Sequence, residues 1–333
     1  MAADSIRDHA RVVVHFHPDR IGSESIPVAQ ALLADGQYRS QFETGLSSGS
    51  PTAFPGGERD AWEKVLFGGA YHDDDCSPGE RPKYGALELI RFPDGPSPRF
   101  GSCYLVLRPE VSQRASFTFA GSEQPDATDR LGTIGAMDGV MAPLLEEIAR
   151  GEGARVPWPP FLAPTLGVAG LTIAGFLARL RDDLPLPRPN PATEPPGRVL
   201  DSCIEAQVHG PIDMATDVET VVADPAFKRT ATGEALEGLS AKYAIPLAWH
   251  RGFRMAVNDV PAEFRGPAIP ELARRIAGRG GMVEAAVIGA AEASFRARPE
   301  AWGALGSQDQ LLQHFRQLWH VVVRYGSPII GRE

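Results

Sequence analysis

The stretch Val-Val-Val-His-Phe-His-Pro-Asp-Arg at residues 12–20 decides how the N-terminal half of this chain is expected to fold. Three consecutive β-branched valines predict a buried strand, and polar residues follow where that strand would leave the core. Because side chains alternate along a strand, His15 and His17 share one face. The stretch therefore predicts a first strand that carries chemically active side chains to its end.

The composition is that of a globular protein with an acidic balance of charge. The 333 residues are 43% hydrophobic and 23% charged, which is enough to bury a full core, and the formal net charge is −9. Because like charges repel, this balance argues against nucleic acid as a partner and allows neutral or basic proteins.

No segment has the pattern of a membrane anchor or a secretory signal. The apolar stretch at 161–177 contains Pro164 and three glycines and is shorter than the roughly 20 residues of a membrane-spanning helix, so it predicts a buried helix. Residues 1–11 lack the apolar core of a signal peptide. Three widely spaced cysteines indicate no disulfide framework. We expect a cytoplasmic protein, or one exported into a host cell as an effector, without membrane contact.

The distribution of strand and helix patterns predicts an α+β fold. Strand patterns cover residues 11–17, 38–44, 84–91, 102–108, 115–120 and 198–209, and helical patterns cover 27–34, 58–67, 133–151, 165–183 and 308–324. Residues 213–222 predict a helix or turn followed by a strand, and helices dominate from residue 270 onward. The Pro-Asp-Gly-Pro sequence at 93–96 predicts a turn.

These patterns divide the chain into three regions. Residues 10–125 and 197–260 are expected to form one core, and 126–196 a helical insertion that is a candidate for partner recognition or a brace for that core. Residues 184–196 contain six prolines and predict a stiff connector rather than a packed element. The region 261–333 is expected to pack on the core as helices.

The histidines of the first strand suggest a metal site. A metal-dependent hydrolase would combine them with later strand-end ligands, namely His209, His250 and Asp259. Pro18 and the cation of Arg20 crowd such a site and weaken metal binding. We therefore expect no metal site and interpret His17 as a structural residue.

The sequence Ile-Glu-Ala-Gln-Val-His at 204–209 predicts a strand with two unlike faces. Glu205, Gln207 and His209 would share the polar face, since they alternate with aliphatic residues. A carboxylate so placed can bind a ribose hydroxyl and stabilise positive charge that develops on a sugar. A solvated edge of an amphipathic strand is the competing interpretation.

Two further motifs could contact a ligand. Residues 38–49 predict a strand that runs into a Gly/Ser loop, where backbone N–H groups can approach a phosphate. In the motif at 81–87, Tyr84 begins a strand and could stack on a planar ring, with core packing as the alternative.

Six blocks, taken together and in order, resemble a bacterial family that was long catalogued without a function. This family is similar to the CteC-type ADP-ribosyltransferases, which modify a threonine of ubiquitin. The blocks are His-Phe-His-Pro-Asp-Arg at 15–20, Gln-Phe-Glu-Thr-Gly at 41–45, Leu-Phe-Gly-Gly-Ala-Tyr at 66–71, Arg-Pro-Lys-Tyr-Gly-Ala-Leu at 81–87, Phe-Gly-Ser-Cys-Tyr at 100–104 and Ile-Glu-Ala-Gln-Val-His-Gly at 204–210.

The resemblance implies a fold, a substrate and a set of site residues. The fold would be the split β-sandwich of poly(ADP-ribose) polymerases and ADP-ribosylating toxins, the substrate NAD and the acceptor a protein hydroxyl, most directly a ubiquitin threonine. Glu205 would be the catalytic carboxylate, and Asp19 or Asp217 its partner, with Asp19 favoured because it belongs to the first block. The implied NAD contacts are His15, Arg20, Thr44, Gly45, Tyr84 and Gln207.

The sequence departs from that family at two places. Gly121 precedes Ser122 where relatives are expected to have an acidic residue, and Gln207 follows Glu205 where toxin motifs place the catalytic glutamate second. These departures keep open an inactive, toxin-like binding protein beside the metal-dependent hydrolase as alternatives.

Overall fold

The computed structural model describes residues 2–22, 25–45, 52–73, 75–151, 164–201 and 204–329. The strands in these ranges are β1 (Arg11–Phe16), β2 (Gln37–Tyr38), β3 (Lys83–Glu88), β4 (Cys103–Leu107), β5 (Ala115–Phe119), β6 (Leu131–Thr133), β7 (Ile204–Val208), β8 (Ile212–Asp213), β9 (Val218–Ala223), β10 (Leu247–Trp249), β11 (Arg254–Ala256) and β12 (Met282–Glu284). The helices are α1 (Ala2–His9), α2 (Val28–Asp35), α3 (Gln41–Thr44), α4 (Glu58–Leu66), α5 (Asp138–Gly151), α6 (Ile173–Asp182), α7 (Met214–Asp217), α8 (Ala231–Tyr243), α9 (Ala268–Ile276), α10 (Ala285–Ala297) and α11 (Gln308–Tyr325).

A mixed sheet of eight strands organises the described part of the chain. Its order is β10-β9-β4-β1-β3-β7-β5-β6, and each neighbouring pair is antiparallel except β9 and β10. Two small sheets, β2 with β8 and β11 with β12, flank it. The α+β class predicted from the sequence is confirmed.

The two faces of the central sheet differ in chemistry. One face joins the main hydrophobic core, to which the strands contribute alternate aliphatic residues and the helices their apolar sides; the strand members include Val12, Val14, Leu87, Leu105, Ile204 and Ala206. On the other face, Val13 and Val106 belong to a much smaller apolar cluster with Tyr104. Because β-strand side chains alternate, His15 of β1, Tyr84 of β3 and both Glu205 and Gln207 of β7 fall on this second face, whereas Lys83 alternates with Tyr84.

Strands β1 and β3 are paired only along part of their length. The recorded ladder joins Arg11–Val13 to residues 86–88, whereas further along β1 pairs with β4 and β3 pairs with β7. A Cβ on Gly85 would lie 2.6 Å from the carbonyl oxygen of Val13, so this approach of the two backbones requires glycine. Beyond that point the two strands part, and a cleft opens between them.

The first-half elements follow the sequence prediction, apart from the unpredicted helix α1 and residues 38–44. Residues 38–44 do not form a strand: β2 ends at Tyr38, and α3 follows. The Ser40 hydroxyl accepts the N–H of Glu43, and the Glu43 carboxylate accepts the N–H of Ser40 at 2.7 Å. This capping box begins a helical turn and overrides the strand pattern.

The proline-rich connector is packed more closely than predicted. It contains no helix or strand, but the Arg188 guanidinium forms two hydrogen bonds with the buried carboxylate of Glu88 on β3. At its end, the buried carboxylate of Asp94, in the predicted turn, accepts the N–H groups of Gly197 and Arg198 at 2.6 and 2.9 Å. The connector therefore lacks helix and strand, as predicted, but polar contacts also hold it against the sheet.

The other two regions also contribute to the core. Strand β6 of the segment 126–196 extends the central sheet beside β5, so this segment is not purely helical. The C-terminal region contains the unpredicted strand β12 as well as its helices, and the indole N–H of Trp319 on α11 donates to the carbonyl of Pro98 at 2.7 Å. Across the described ranges, no helix has both the length and the apolar character that crossing a membrane requires.

Candidate functional site

The cleft between β1 and β3 gathers most of the predicted site residues. His15 lines it from β1, Tyr84 from β3 and Glu205 from β7, and these three strands are adjacent. Segments from elsewhere complete the walls, among them α3 and Arg316 of α11. The cleft therefore combines residues that lie about 300 positions apart in the sequence.

Two hydrogen bonds hold the Glu205 carboxylate. Its Oε1 accepts the backbone N–H of Ser122 at 3.2 Å and the side-chain amide N–H of Gln207 at 3.0 Å. Burial raises the pKa of Glu205 above its ordinary value, and these two donors act against that rise. Both bonds end on Oε1, so within the described ranges Oε2 keeps its capacity to accept. This is the arrangement of a carboxylate prepared to bind or deprotonate a hydroxyl.

Gln207 is an anchor for Glu205 rather than a ligand contact. It is fully buried and does not line the cleft. Besides Glu205, its amide nitrogen donates to Thr118 Oγ1 at 3.0 Å, and its Oε1 accepts from Ser116 Oγ at 3.0 Å. Gln207, predicted as an NAD contact, is therefore not among the residues that line the cleft, because its amide is bonded to the β5 hydroxyls and to Glu205.

Tyr84 lies in the cleft beneath an arginine that the sequence analysis missed. The Arg59 guanidinium lies 4.3 Å from the centre of the Tyr84 ring and 4.7 Å from that of Trp62. The Tyr84 hydroxyl donates to Glu63 Oε1 at 2.7 Å, and burial raises the pKa of this hydroxyl well above its ordinary value. A cation over an aromatic face is attracted by the ring quadrupole, so the pair forms one wall of the cleft.

His15 is satisfied by the protein itself. Its Nδ1 donates to the carbonyl of Gly101 at 3.1 Å, and its Nε2 accepts the N–H of Ser97 at 3.3 Å. Burial lowers the pKa of His15 to about 3, so the ring is neutral. His15 lines the cleft, yet both ring nitrogens are already used, so a ribose could contact only the ring edge without displacing a partner.

Two other residues of the sequence block 15–20, Arg20 and His17, lie beyond the end of β1 and contact different helices. Arg20 lines the cleft, and its Nε lies 2.9 Å from the buried carboxylate of Glu292. His17 also lines the cleft and packs edge-on against Trp319, with ring centres 5.6 Å apart. These contacts attach the end of the first block to α10 and α11.

Asp19 is not brought beside Glu205. It does not line the cleft, and its carboxylate occupies the place that a Cβ on Gly289 of α10 would take. Burial raises the pKa of Asp19 to about 7. The other candidate, Asp217, is bound to Arg114 at 2.8 Å, also away from the cleft. Within the described ranges, Glu205 is the only carboxylate that lines it.

The predicted pair at the end of α3 is divided. Thr44 lines the cleft, and its Oγ1 donates to the carbonyl of Ser40 at 3.0 Å. Gly45 ends the helix in the left-handed region with φ +62°, and it does not line the cleft. Residues 46–49, the Gly/Ser loop of the prediction, lie outside the described residues.

The cleft is strongly cationic in a protein whose net charge is negative. Six cationic side chains line it: Arg20, Arg39, Arg59, Lys83, Arg99 and Arg316. Three of them have carboxylate partners outside the cleft, namely Glu292, Asp35 and Asp201. Burial and the charges of Arg99, Arg265 and Arg20 lower the pKa of Arg316 to about 10. Such crowding of like charges favours an anionic ligand.

The side chains of the metal alternative do not meet. His250 is buried, with its Nε2 2.9 Å from the Ser102 carbonyl and its Nδ1 accepting the N–H of Gly252, whereas Asp259 is exposed. His209 uses its nitrogens on Tyr71 and Ser116. In the ranges that the structure covers, no three His, Cys, Asp or Glu side chains form a group that could hold a metal ion. The metal-dependent hydrolase is therefore not supported.

Four residues of the site were missed because their signals lie in other elements. The alternation Ser116-Phe117-Thr118-Phe119 places both hydroxyls on the face that Gln207 occupies, a match that only the β5–β7 register reveals. The third is Ser122, which the sequence comparison marks only as the residue that follows Gly121. Arg59 could have been found as a helix residue that precedes Trp62 by nearly one turn.

Comparison with other sequences gives a family but no characterised relative. No curated protein matches the chain. A family described as "protein of unknown function (DUF3626)" matches residues 11–325, which extend from the first residue of β1 to the last residue of α11. Because this match covers nearly the whole chain, the protein belongs to the DUF3626 family.

Proposed function

We propose that the protein is a mono-ADP-ribosyltransferase that cleaves NAD and transfers ADP-ribose to a protein hydroxyl. One observation carries the proposal: a single carboxylate, Glu205, lines the described part of a cleft that also contains six cations and the ring of Tyr84. A sugar that becomes positively charged needs the carboxylate, and a diphosphate needs the cations.

The placement of the residues is compatible with an extended dinucleotide. Glu205, Tyr84 and His15 lie on three neighbouring strands, which are about 4.8 Å apart from one to the next. Arg20, Arg99 and Arg316 lie at the His15 side, near α11. The nicotinamide ribose would bind at Glu205, its base beside Tyr84, and the phosphates among the arginines.

The fold is also compatible with this chemistry. The cleft lies where the β1–β3 pairing ends, so the central sheet is divided at the place where Glu205 and Tyr84 lie. This feature supports, for the core, the ADP-ribosyltransferase-like architecture that the six sequence blocks imply.

The proposed reaction breaks one bond and forms one bond. The C1′–N bond to nicotinamide breaks, and its electron pair leaves with the neutral base. Glu205 holds a ribose hydroxyl and stabilises the positive charge that forms on the sugar. The acceptor oxygen then bonds to C1′, and its proton passes to Glu205, whose pKa is raised by burial so that it accepts a proton readily.

Asp19 has no part in this scheme, since its carboxylate lies against α10 rather than in the cleft. The acceptor is proposed from the resemblance alone: a threonine of ubiquitin is the first protein to test. The described part of the segment 126–196 is the proposed region for recognising it.

The decisive experiment incubates the protein with labelled NAD and ubiquitin. We expect label on ubiquitin and release of nicotinamide with the wild type, and neither with Glu205→Gln. Glu219→Gln is the matched control, because Glu219 lies on β9 of the same sheet and pairs with Arg11 outside the cleft. It should label ubiquitin as the wild type does.

The other possible outcomes each test one part of the proposal. Nicotinamide release without label on ubiquitin would retain the NAD chemistry and exclude that acceptor. Binding of NAD by calorimetry without any release would indicate the inactive binding protein instead. If Glu205→Gln were as active as the wild type, Glu205 would not be the catalytic carboxylate.

A further inference from the structure

A chain of hydrogen bonds leads from Glu205 along one face of β5 and β7 to His209, just beyond the end of β7. Gln207 bonds to Glu205 at 3.0 Å and to Ser116 at 3.0 Å, and Ser116 Oγ lies 2.9 Å from Nε2 of His209. The Tyr71 hydroxyl makes a short hydrogen bond with Nδ1 of His209. Five side chains from three segments are thereby joined in a single line.

The chemistry of the groups fixes the direction of each bond. A carboxylate can only accept, so the amide nitrogen of Gln207 faces Glu205 and its oxygen faces Ser116. That oxygen also only accepts, so the one hydroxyl proton of Ser116 is given to Gln207. The proton between Ser116 and His209 must then come from the histidine. His209 is therefore protonated on Nε2, and its Nδ1 accepts the proton of Tyr71.

The middle of the chain has no freedom to reorient. Gln207 and Thr118 are fully buried, and Thr118 takes the second amide hydrogen of Gln207. Thr118 in turn donates to the carbonyl of Ala120 at 3.3 Å. An amide whose oxygen and two N–H hydrogens are all engaged cannot flip, so it holds the carboxylate in one orientation.

The outer end of the chain is held by aromatic packing. The His209 and Tyr71 rings are stacked, 6.0 Å apart with an angle of 12°, and the Phe67 ring meets His209 edge-on at 5.3 Å. Burial, followed by the charge of Arg114, lowers the pKa of His209, and burial raises the pKa of Tyr71 to about 12. At neutral pH the histidine is therefore neutral and the tyrosine keeps its proton.

We propose that His209 is a positioning residue that, with Tyr71 and Ser116, orients the Glu205 carboxylate through Gln207. The geometric part of the proposal stands on the hydrogen bonds alone, and its effect on turnover rests on the proposed function. In each of the four hydrogen bonds the donor lies on the side away from Glu205. Each bond therefore polarises the following one, and the bond from Gln207 to Glu205 is strengthened. Loss of an outer member loosens the carboxylate without touching the cleft.

The first test needs no activity. Long-range ¹H–¹⁵N NMR spectra distinguish the two neutral tautomers, and the His209 signals are those lost in His209→Gln. The expected result is an Nε2-protonated ring at pH 7.5. An Nδ1-protonated ring would overturn the proposal, since Ser116 would then have no proton to give Gln207. This test retains its meaning even if the protein does not cleave NAD.

The second test compares Ser116→Ala with Ser116→Thr. The alanine removes the hydroxyl, whereas the threonine keeps it as the conservative control. We expect kcat for nicotinamide release to fall about tenfold in Ser116→Ala with KM for NAD unchanged, and to recover to within about threefold in Ser116→Thr. Equal losses in the two variants, or a loss confined to KM, would indicate packing rather than positioning.

The pH profile supplies a third, independent reading. The charged or titratable neighbours of Glu205 are Glu123, Arg59 and Tyr84, and the change at Ser116 leaves all of them in place. A loosened Gln207 donates less well to the carboxylate, so the acid limb of kcat/KM should move to higher pH in Ser116→Ala. An unmoved limb, together with an unchanged kcat, would contradict the proposal.

Discussion

The same strands form both faces of the central sheet, but one face is apolar and the other carries the polar residues of the cleft. On one face, Phe117, Ala206 and Gly85 of neighbouring strands lie in a row within or against the main hydrophobic core. One residue further along, Thr118, Glu205 and Ala86 form the next row, on the cleft face. A shift of one residue in register would exchange the two faces. Along one strand, core residues that stabilise the fold alternate with residues that face the cleft. Substitutions can therefore change the free energy of unfolding and the properties of the cleft separately.

The largest effect should come from the cleft face. We expect Glu205→Gln to lower kcat for nicotinamide release by about 10³-fold, because the amide cannot neutralise charge on the sugar. The free energy of unfolding should stay equal or increase, since burial raises the pKa of Glu205 and the variant removes that unfavourable charge. Single-turnover kinetics and urea unfolding measure the two quantities. A marked loss of stability would show that the carboxylate belongs to the structure.

The matching change on the core face is Phe117→Ala. The ring is fully buried, so its removal should lower the free energy of unfolding by about 3–5 kcal/mol. The protein that remains folded should keep kcat within about threefold of the wild type. Urea unfolding beside an active-site titration tests this pair of statements. A collapse of activity per folded molecule would mean that the two faces are not independent.

A smaller effect is expected at the wall of the cleft. Arg59→Met should raise KM for NAD about tenfold, because the guanidinium over Tyr84 contributes both charge and a planar surface. Arg59→Lys, which keeps the charge, should recover part of this loss. If lysine restored KM fully, only the charge would matter; if neither variant changed KM, the ligand would not reach this wall.

The smallest effect on turnover is expected for Asp19→Asn, within about twofold, since this carboxylate lies outside the cleft. Its effect on stability depends on pH. Burial raises the pKa of Asp19 to about 7 from 3.8, so between these values the folded state holds a proton that the unfolded state has lost. Wild-type stability therefore decreases as pH rises from about 4 to 7, and the variant lacks this term.

Urea unfolding at several pH values measures this effect. The free energy of unfolding of Asp19→Asn should increase relative to that of the wild type as pH rises through that window, and the difference should stay constant above it. A constant difference would contradict the raised pKa. A loss of turnover far beyond twofold would indicate that Asp19 takes part in catalysis, as the sequence resemblance implies.

The sequence predicted local features of the site well and long-range ones poorly. The strands that hold His15, Tyr84 and Glu205 follow from β-branched and alternating residues, which act over a few positions. The role of Gln207 could not be predicted in this way, because it depends on hydroxyls of β5, some 90 residues away. The same holds for Asp19, whose position is set by Gly289 on a helix near the other end of the chain.

The error at residues 38–44 has a different cause. There the local signal is present in the sequence, since Ser40 and Glu43 have the spacing of a capping box, which favours a helical turn over a strand. A correct interpretation would have placed Thr44 at the end of a helical turn beside the cleft and Gly45 as its left-handed cap.

The position of Arg316 on α11 has a consequence for when the cleft is complete. This residue lies on α11, the helix whose Trp319 is bonded to Pro98, and it completes the cationic wall opposite residues from β1. During synthesis, Glu205, Tyr84 and His15 all leave the ribosome before α11 exists. A growing chain would therefore hold Glu205 without a finished cleft until α11 has been translated, and the NAD cleavage proposed above could begin only then.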